Sequence, residues 1–238
     1  MDIAEGITIH DIGLIVGGNL VLSDIHLGYE EFQNKRGVFI PRVLYKALVQ
    51  RVGRMLQGRK FHSIILNGDI KHDFGSISFS EWKHVLGFLN FLAPSCDRII
   101  LVEGNHDLLL KYIAKKKNIS LVDFHLIGSA YVTHGDIIPK DSDFQHAKII
   151  IIGHDHPAIS IRNGARVEQY KCFLAGKWGR KRLIVMPSCN LLTEGSDVMT
   201  HKQLSPFLQK GIDDFEAYVV SDTTYYFGKV KQLRSLSQ

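Results

Sequence analysis

The chain reads as an α/β protein, a sandwich in which β-sheets pack on each other and helices cover them. Three observations predict this. Short apolar runs alternate with helical stretches through the first half, strands dominate the second half, and polar motifs recur directly after apolar strands.

The elements follow in order. Leu14–Val16 and Leu20–Leu22 flank Gly17-Gly18-Asn19, a strand–turn–strand pattern. Residues 41–57 predict a helix, with Pro41 at its first position and Gly58 beyond its end. Val43, Leu44, Ala47, Leu48, Val52, Met55 and Leu56 supply its apolar face. Ser63–Leu66 is a buried strand. Glu81–Leu92 is a second helix, opened by the capping pair Ser78 and Glu81 and stopped by Pro94. Arg98–Val102 is a strand, followed by a short helix from about Leu108 to Lys116. Ser129–Thr133 and Lys148–Ile152 are two more strands. Ile159–Arg162 and Arg166–Tyr170 form a hairpin around Asn163-Gly164, and Leu183–Met186 and Ala217–Phe227 add further strand.

Of the 238 residues, 45% are hydrophobic and 22% charged, which suits a packed core and excludes wholesale disorder. No repeat or linker divides the chain, so a single domain over residues 1–238 is expected. The net charge of +5 is a mild basic bias compatible with an anionic partner. Cys96, Cys172 and Cys189 make no closed disulfide framework and no CxxC pair. They read as reduced thiols of a cytoplasmic protein, with a Cys172–Cys189 bridge left open. The first ten residues carry two carboxylates and no apolar core of a signal peptide. No apolar run is long enough to span a bilayer, so no membrane association is expected.

Five polar motifs each follow an apolar strand: Asp24-Ile25-His26, Gly68-Asp69-Ile70-Lys71-His72-Asp73, Gly104-Asn105-His106-Asp107, His134-Gly135-Asp136 and Gly153-His154-Asp155-His156. Loops at the carboxyl ends of strands converge on one crevice in an α/β sheet, so these motifs can meet. Asp, His and Asn offer oxygen and imidazole ligands without thiolate, which favours manganese, iron or zinc at a hydrolytic centre. Asp24/His26 and His154/His156 are spaced i, i+2, which in extended backbone places both side chains on one side. Asp24, His26, Asp69, Asn105, His134, His154 and His156 exceed the needs of one ion and suit two ions sharing a carboxylate. Two divalent ions against two aspartates leave a charge of about +2, which attracts a phosphate ester and depresses the pKa of bound water.

These motifs, in this order and over residues from about 14 to 190, resemble the calcineurin-like metallophosphoesterases. The resemblance implies an αββα sandwich, two mixed β-sheets flanked by helices, with the active site at loops following strands. It implies two divalent ions per chain, with manganese expected and iron, zinc or nickel as alternatives. Asp24, His26, Asp69 and His156 would hold one ion; Asp69, Asn105, His134 and His154 would hold the other. His106 sits where the family places the histidine that protonates the leaving oxygen, and Asp107 would orient it. Ser23–Gly28, Lys35–Pro41, Asn67–Asp73 and Met186–Asn190 together resemble the compact SbcD-related phosphoesterases of archaea and the bacterial ligase-associated phosphoesterases of DNA repair. That implies a phosphodiesterase or nuclease, with His72 near the scissile phosphate and a repair helicase or ligase as partner. Hydrolysis of a small phosphomonoester, cyclic nucleotide or pyrophosphate is the alternative, and a non-catalytic scaffold a remote one.

Other features have plainer readings. His10, His62, His84, His125, His146 and His201 have no motif around them. Lys111–Lys117 is a solvated helix end or a phosphate track. Trp178, among Lys177, Arg180, Lys181 and Arg182, either stacks a base or tucks inwards at a hairpin tip.

Overall fold

The structure, a computed structural model, describes residues 1–41, 43–74, 78–164 and 166–236. Seven strands form the first sheet in chain order: β1 (Asp2–Ala4), β2 (Ile7–His10), β3 (Gly13–Val16), β4 (Asn19–Ser23), β5 (Phe61–Asn67), β6 (Cys96–Val102) and β7 (Ser120–Val122). β1 to β4 are an antiparallel meander, and β4 to β7 run parallel. The second sheet holds β8 (Phe124–Ile127), β9 (Ala130–Thr133), β10 (Ile149–Ile152), β11 (Pro157–Asn163), β12 (Arg166–Trp178), β13 (Lys181–Val185), β14 (Ser196–Asp197), β15 (Glu216–Val220) and β16 (Thr224–Lys229). Its order is β14-β11-β12-β13-β10-β9-β8, with β15 pairing β12 and β16 pairing β15. Within it β9, β10 and β13 run parallel. The helices are α1 (Tyr29–Lys35), α2 (Leu44–Leu56), α3 (Phe79–Leu92), α4 (Leu110–Lys117), α5 (Ser142–His146) and α6 (Val230–Leu236).

The period of two along each strand builds the layers. On β9, β10, β12 and β13, Val132, Ile151, Phe173, Ala175 and Ile184 face the first sheet and join its core with Leu20, Leu22, Ile65 and Leu101. Their neighbours Tyr131, Ile150, Ile152, Cys172, Leu174, Leu183 and Val185 face the other way, against Phe144 of α5 and Val230 of α6. Leu48, Val52 and Met55 of α2 and Val85, Phe88 and Leu92 of α3 pack on the first sheet. These are two mixed sheets flanked by helices, as expected.

Local differences have local causes. The helix expected over 41–57 begins at Leu44, whose amide is taken by the Glu30 carboxylate of α1; Arg42 lies outside the described residues. The strand expected over Ala217–Phe227 is the hairpin β15–β16, reversed at the polar Ser221-Asp222-Thr223. The strand expected to end at Tyr170 runs on to Trp178, because its buried continuation pairs with β13 and β15. Ser78 caps α3 as expected, accepting from the Glu81 amide at 3.0 Å. All three cysteines are free and buried, and Cys172 and Cys189, packed in separate core clusters, are not bridged.

Candidate metal centre

Every motif leaves the carboxyl end of a parallel strand. β4 delivers Asp24, β5 Asp69, β6 Asn105, β9 His134, and β10 His154 and His156. The loops that turn these residues inwards are not extended. Asp24 (φ 53°), His26 (φ 50°), Asp69 (φ 48°), His154 (φ 67°) and His156 (φ 46°) occupy the left-handed region. The i, i+2 pairs therefore converge through strained turns, a cost tolerated where function over-determines the backbone. Two glycines allow the crowding. A Cβ on Gly68 would lie 2.1 Å from His134 Nδ1, and one on Gly153 would lie 2.2 Å from Asp24 Oδ2.

The ligands gather in two sets that share Asp69. One comprises Asp24, His26, Asp69 and His156; the other comprises Asp69, His134 and His154. Asn105 joins the second set, its Oδ1 lying 2.9 Å from His134 Nε2. His156 Nε2 is 3.2 Å from Asp24 Oδ1, His26 Nε2 is 3.8 Å from Asp69 Oδ2, and His134 Nε2 is 3.5 Å from Asp69 Oδ1. Asp24 is fixed from behind. Ser23 Oγ donates to it at 2.7 Å, the His154 amide donates to both its oxygens at 3.1 Å, and Ser188 Oγ holds its carbonyl at 2.6 Å.

The electrostatics suit cations. Imidazole nitrogens face one another, His26 Nε2 to His156 Nε2 at 3.3 Å and His154 Nδ1 to His134 Nε2 at 3.1 Å. His134 Nδ1 is buried with no hydrogen-bond partner. Burial and the adjacent Asp24 carboxylate push Asp69 up to about 9. Burial alone would raise Asp24, but the imidazoles of His156, His134 and His26 outweigh it and hold that carboxyl below the usual range. Burial and His156 lower His26 well below an ordinary imidazole. Imidazoles turned inward around two carboxylates form a donor set that fits two divalent ions.

His106 stands beside both sets. Its Nδ1 lies 2.5 Å from the His72 carbonyl, its Nε2 3.7 Å from Asp69 Oδ2, and its amide donates to Asp69 Oδ1 at 3.0 Å. His72 Nδ1 is 3.2 Å from His26 Nδ1, and His26, His72 and His106 form a third gathering of imidazoles. Asp107 behaves differently from expectation. Its buried carboxylate accepts the amides of Ile70 (3.0 Å), Lys71 (3.2 Å) and Gly104 (3.0 Å). The geometry thus gives the orienting role at His106 to the His72 carbonyl and leaves Asp107 tying two ligand-bearing loops together.

Several supporting residues carried no motif. Glu81 accepts the His72 amide at 2.9 Å from inside α3, and only its capping position was visible in the sequence. The Phe74 ring lies over His106 with centroids 3.5 Å apart, and Tyr29 and Phe32 abut His72 at 4.5 and 4.7 Å. Lys171 of β12 is buried and donates to the Thr193 carbonyl at 2.6 Å, bracing the loop that precedes Gly195. Other cationic features stand apart from the centre. Trp178 turns inward onto Phe144 and Phe207, at 5.6 and 5.3 Å, so it is no exposed stacking surface. Lys115, Lys116 and Lys117 end α4, where Lys116 covers the Trp82 ring and Lys117 donates to Asn90. Among the described residues no helix is long and apolar enough to cross a membrane.

The structure resembles the nuclease MPE of Pseudomonas putida, with a TM-score of 0.65, 16% identity, and 92% of this chain and 93% of that chain covered. It is more distantly similar to YfcE, a phosphoesterase of E. coli (TM-score 0.42, 13% identity, 86% and 88% covered). A zinc complex of Vps29 from Entamoeba histolytica is also similar (TM-score 0.38, 16% identity, 88% and 96% covered). No curated protein sequence matches the chain. The sequence profile of the calcineurin-like phosphoesterases matches residues 20–213, a span that holds all seven candidate ligands. With its candidate ligands gathered on the loops that the motifs marked, and on that match, the chain belongs to the calcineurin-like phosphoesterase family.

Proposed function

We propose that this chain is a dinuclear, manganese-dependent phosphodiesterase that hydrolyses DNA or RNA. The observation that carries the reading is the pair of ligand sets hinged on Asp69. Two bound divalent ions would supply Lewis-acid stabilisation of the phosphoryl oxygens and activation of water. The chain's residues would hold them as two sets, Asp24, His26, Asp69 and His156 in one, Asp69, Asn105, His134 and His154 in the other.

His106 is assigned the proton. With Nδ1–H donated to the His72 carbonyl, Nε2 faces the ligands, where a proton on it can pass to the departing alkoxide oxygen. His72 fixes that ring through its backbone, and its imidazole borders the same cleft. Asp107 contributes by holding the Asp69 and Asn105 loops in register. A nucleic-acid substrate is supported by the net charge of +5 and by the fold shared with a nuclease. A cytoplasmic DNA-repair setting, with a helicase or ligase as partner, follows from the subfamily resemblance alone.

The test is cleavage of end-labelled single- and double-stranded DNA in Mn²⁺. His106→Ala is expected to lower turnover by about 10²–10⁴-fold while retaining metal. Asp69→Asn should lose metal and activity together. A wild-type protein carrying two ions that cleaves no polynucleotide would shift the assignment to a small phosphoester.

A further inference from the structure

We propose that the surface between the end of α1 and the start of α3 is a stacking platform for the bases of a single-stranded polynucleotide. It would lead the strand into the His72 and His106 side of the metal centre. The proposal rests on the nuclease reading above and adds the face from which the strand arrives.

Three phenylalanines stand in solvent here: Phe39 is 87% exposed, Phe79 84% and Phe74 50%. Single exposed apolar residues are ordinary, but several large rings on adjoining segments mark an interaction surface. The segments are tied into one surface. Asn34 of α1 donates to the Ile40 carbonyl and accepts the Ile40 amide, both at 3.0 Å, which fixes Phe39 beside the helix end. Ser78 Oγ donates to Glu31 of α1 at 3.0 Å, which brings Phe79 to the same helix. The rings then continue inward, with Phe74 over His106, and Tyr29 and Phe32 against His72. Exposed rings on the segments beside α1 and α3 therefore adjoin rings that reach the proposed proton donor. Phenyl rings stack any base, so such a surface is tolerant of sequence.

Charge selects the occupant. Arg36 lies 5.4 Å over the Phe32 ring, so a cation borders the aromatic rings, while Lys35 at the helix end neutralises Glu31 at 3.3 Å. The opposite flank, beyond Asn105, is an open groove of about 520 Å³ lined by Glu103, Asp123, Asp136 and Asp141 against Lys140. Four carboxylates repel a phosphate backbone, so a strand that reaches the metal centre has the aromatic flank as its favourable approach. An uncharged protein partner would gain nothing from this asymmetry.

The experiment is fluorescence anisotropy of a labelled, phosphorothioate-linked oligothymidylate with the metal-loaded, full-length protein. Phe39→Ala and Phe79→Ala are each expected to weaken binding by about tenfold, with Phe79→Trp restoring it. Unchanged unfolding midpoints would show that the fold is intact, as expected for rings this exposed. If wild type binds and cleaves polynucleotides while the alanine variants bind equally well, the platform is wrong and the nuclease reading stands. If wild type neither binds nor cleaves any polynucleotide, both fall. A wild-type dimer in sedimentation that Phe39→Ala dissociates would make the patch a self-interface and overturn the proposal.

Discussion

Asp107 shows how a motif residue can matter without touching the chemistry. Its carboxylate joins Ile70 and Lys71 on one ligand loop to Gly104 on the next, and all these groups are shielded from water. Asp107→Ala should leave three buried amides unpaired and destabilise the fold by about 3 kcal/mol or more. Urea unfolding measures that loss, and metal titration should show weakened binding as the loops separate. A fully stable variant that lost only turnover would return Asp107 to the reacting groups. At this scale the sequence was informative about the residues that gather as candidate ligands and uninformative about their supports. Asp24, Asp69, Asn105, His134, His154 and His156 are polar residues placed directly after apolar strands, a pattern visible in one dimension. Ser188 and Glu81 reach the centre only because folding brings distant segments beneath it, and their local patterns, a segment after a strand and a helix cap, do not show that role. The left-handed backbone at Asp24 and His156 was equally hidden, because residues other than glycine rarely adopt it.

Among the elements, the long strand β12 and its hairpin with β13 show what a cationic tip can conceal. Trp178 and its neighbours Lys177, Arg180 and Lys181 have the composition of a nucleic-acid contact, yet the ring packs between α5 and the 206–208 turn. Trp178→Ala should therefore cost about 2 kcal/mol of stability, somewhat less than a fully buried aromatic. Polynucleotide affinity, read by anisotropy, should not change; a loss of affinity at full stability would contradict the inward packing. Composition alone could not decide this, because the partners Phe144 and Phe207 lie far away in sequence. The long amphipathic helices and the strands of the parallel core were legible from periodicity to within a few residues, while β12 ran eight residues past its expected end. Short elements such as α1, α5 and the edge strands β1 and β7 were not, since three to seven residues carry too little pattern. α1 matters most among these, because Tyr29, Phe32 and Arg36 border the proposed approach to the site.

For the whole molecule, the architecture was legible because alternation of strand and helix, then strand upon strand, admits few layer arrangements. The pairing of the two sheets was not, since which face of β10 or β13 meets the first sheet is settled by packing. Binding of ions across the sheets should stabilise the entire chain. At free metal 100-fold above the dissociation constant the gain is about 2.7 kcal/mol. For a chain of this length, chelation should lower the thermal midpoint by roughly 5–10 °C, reversibly on adding Mn²⁺. A midpoint indifferent to chelation would mean that no ion joins the sheets. The division of ligands carries a further consequence. Asp24, His26, Asp69 and Asn105 hang from the first sheet, and His134, His154 and His156 from the second, so neither half owns a complete set. An ion can then be gripped only after the halves have docked. A bound ion would act as a clasp on a closed box, and is expected to slow the escape from the native state while leaving the time taken to reach it almost untouched.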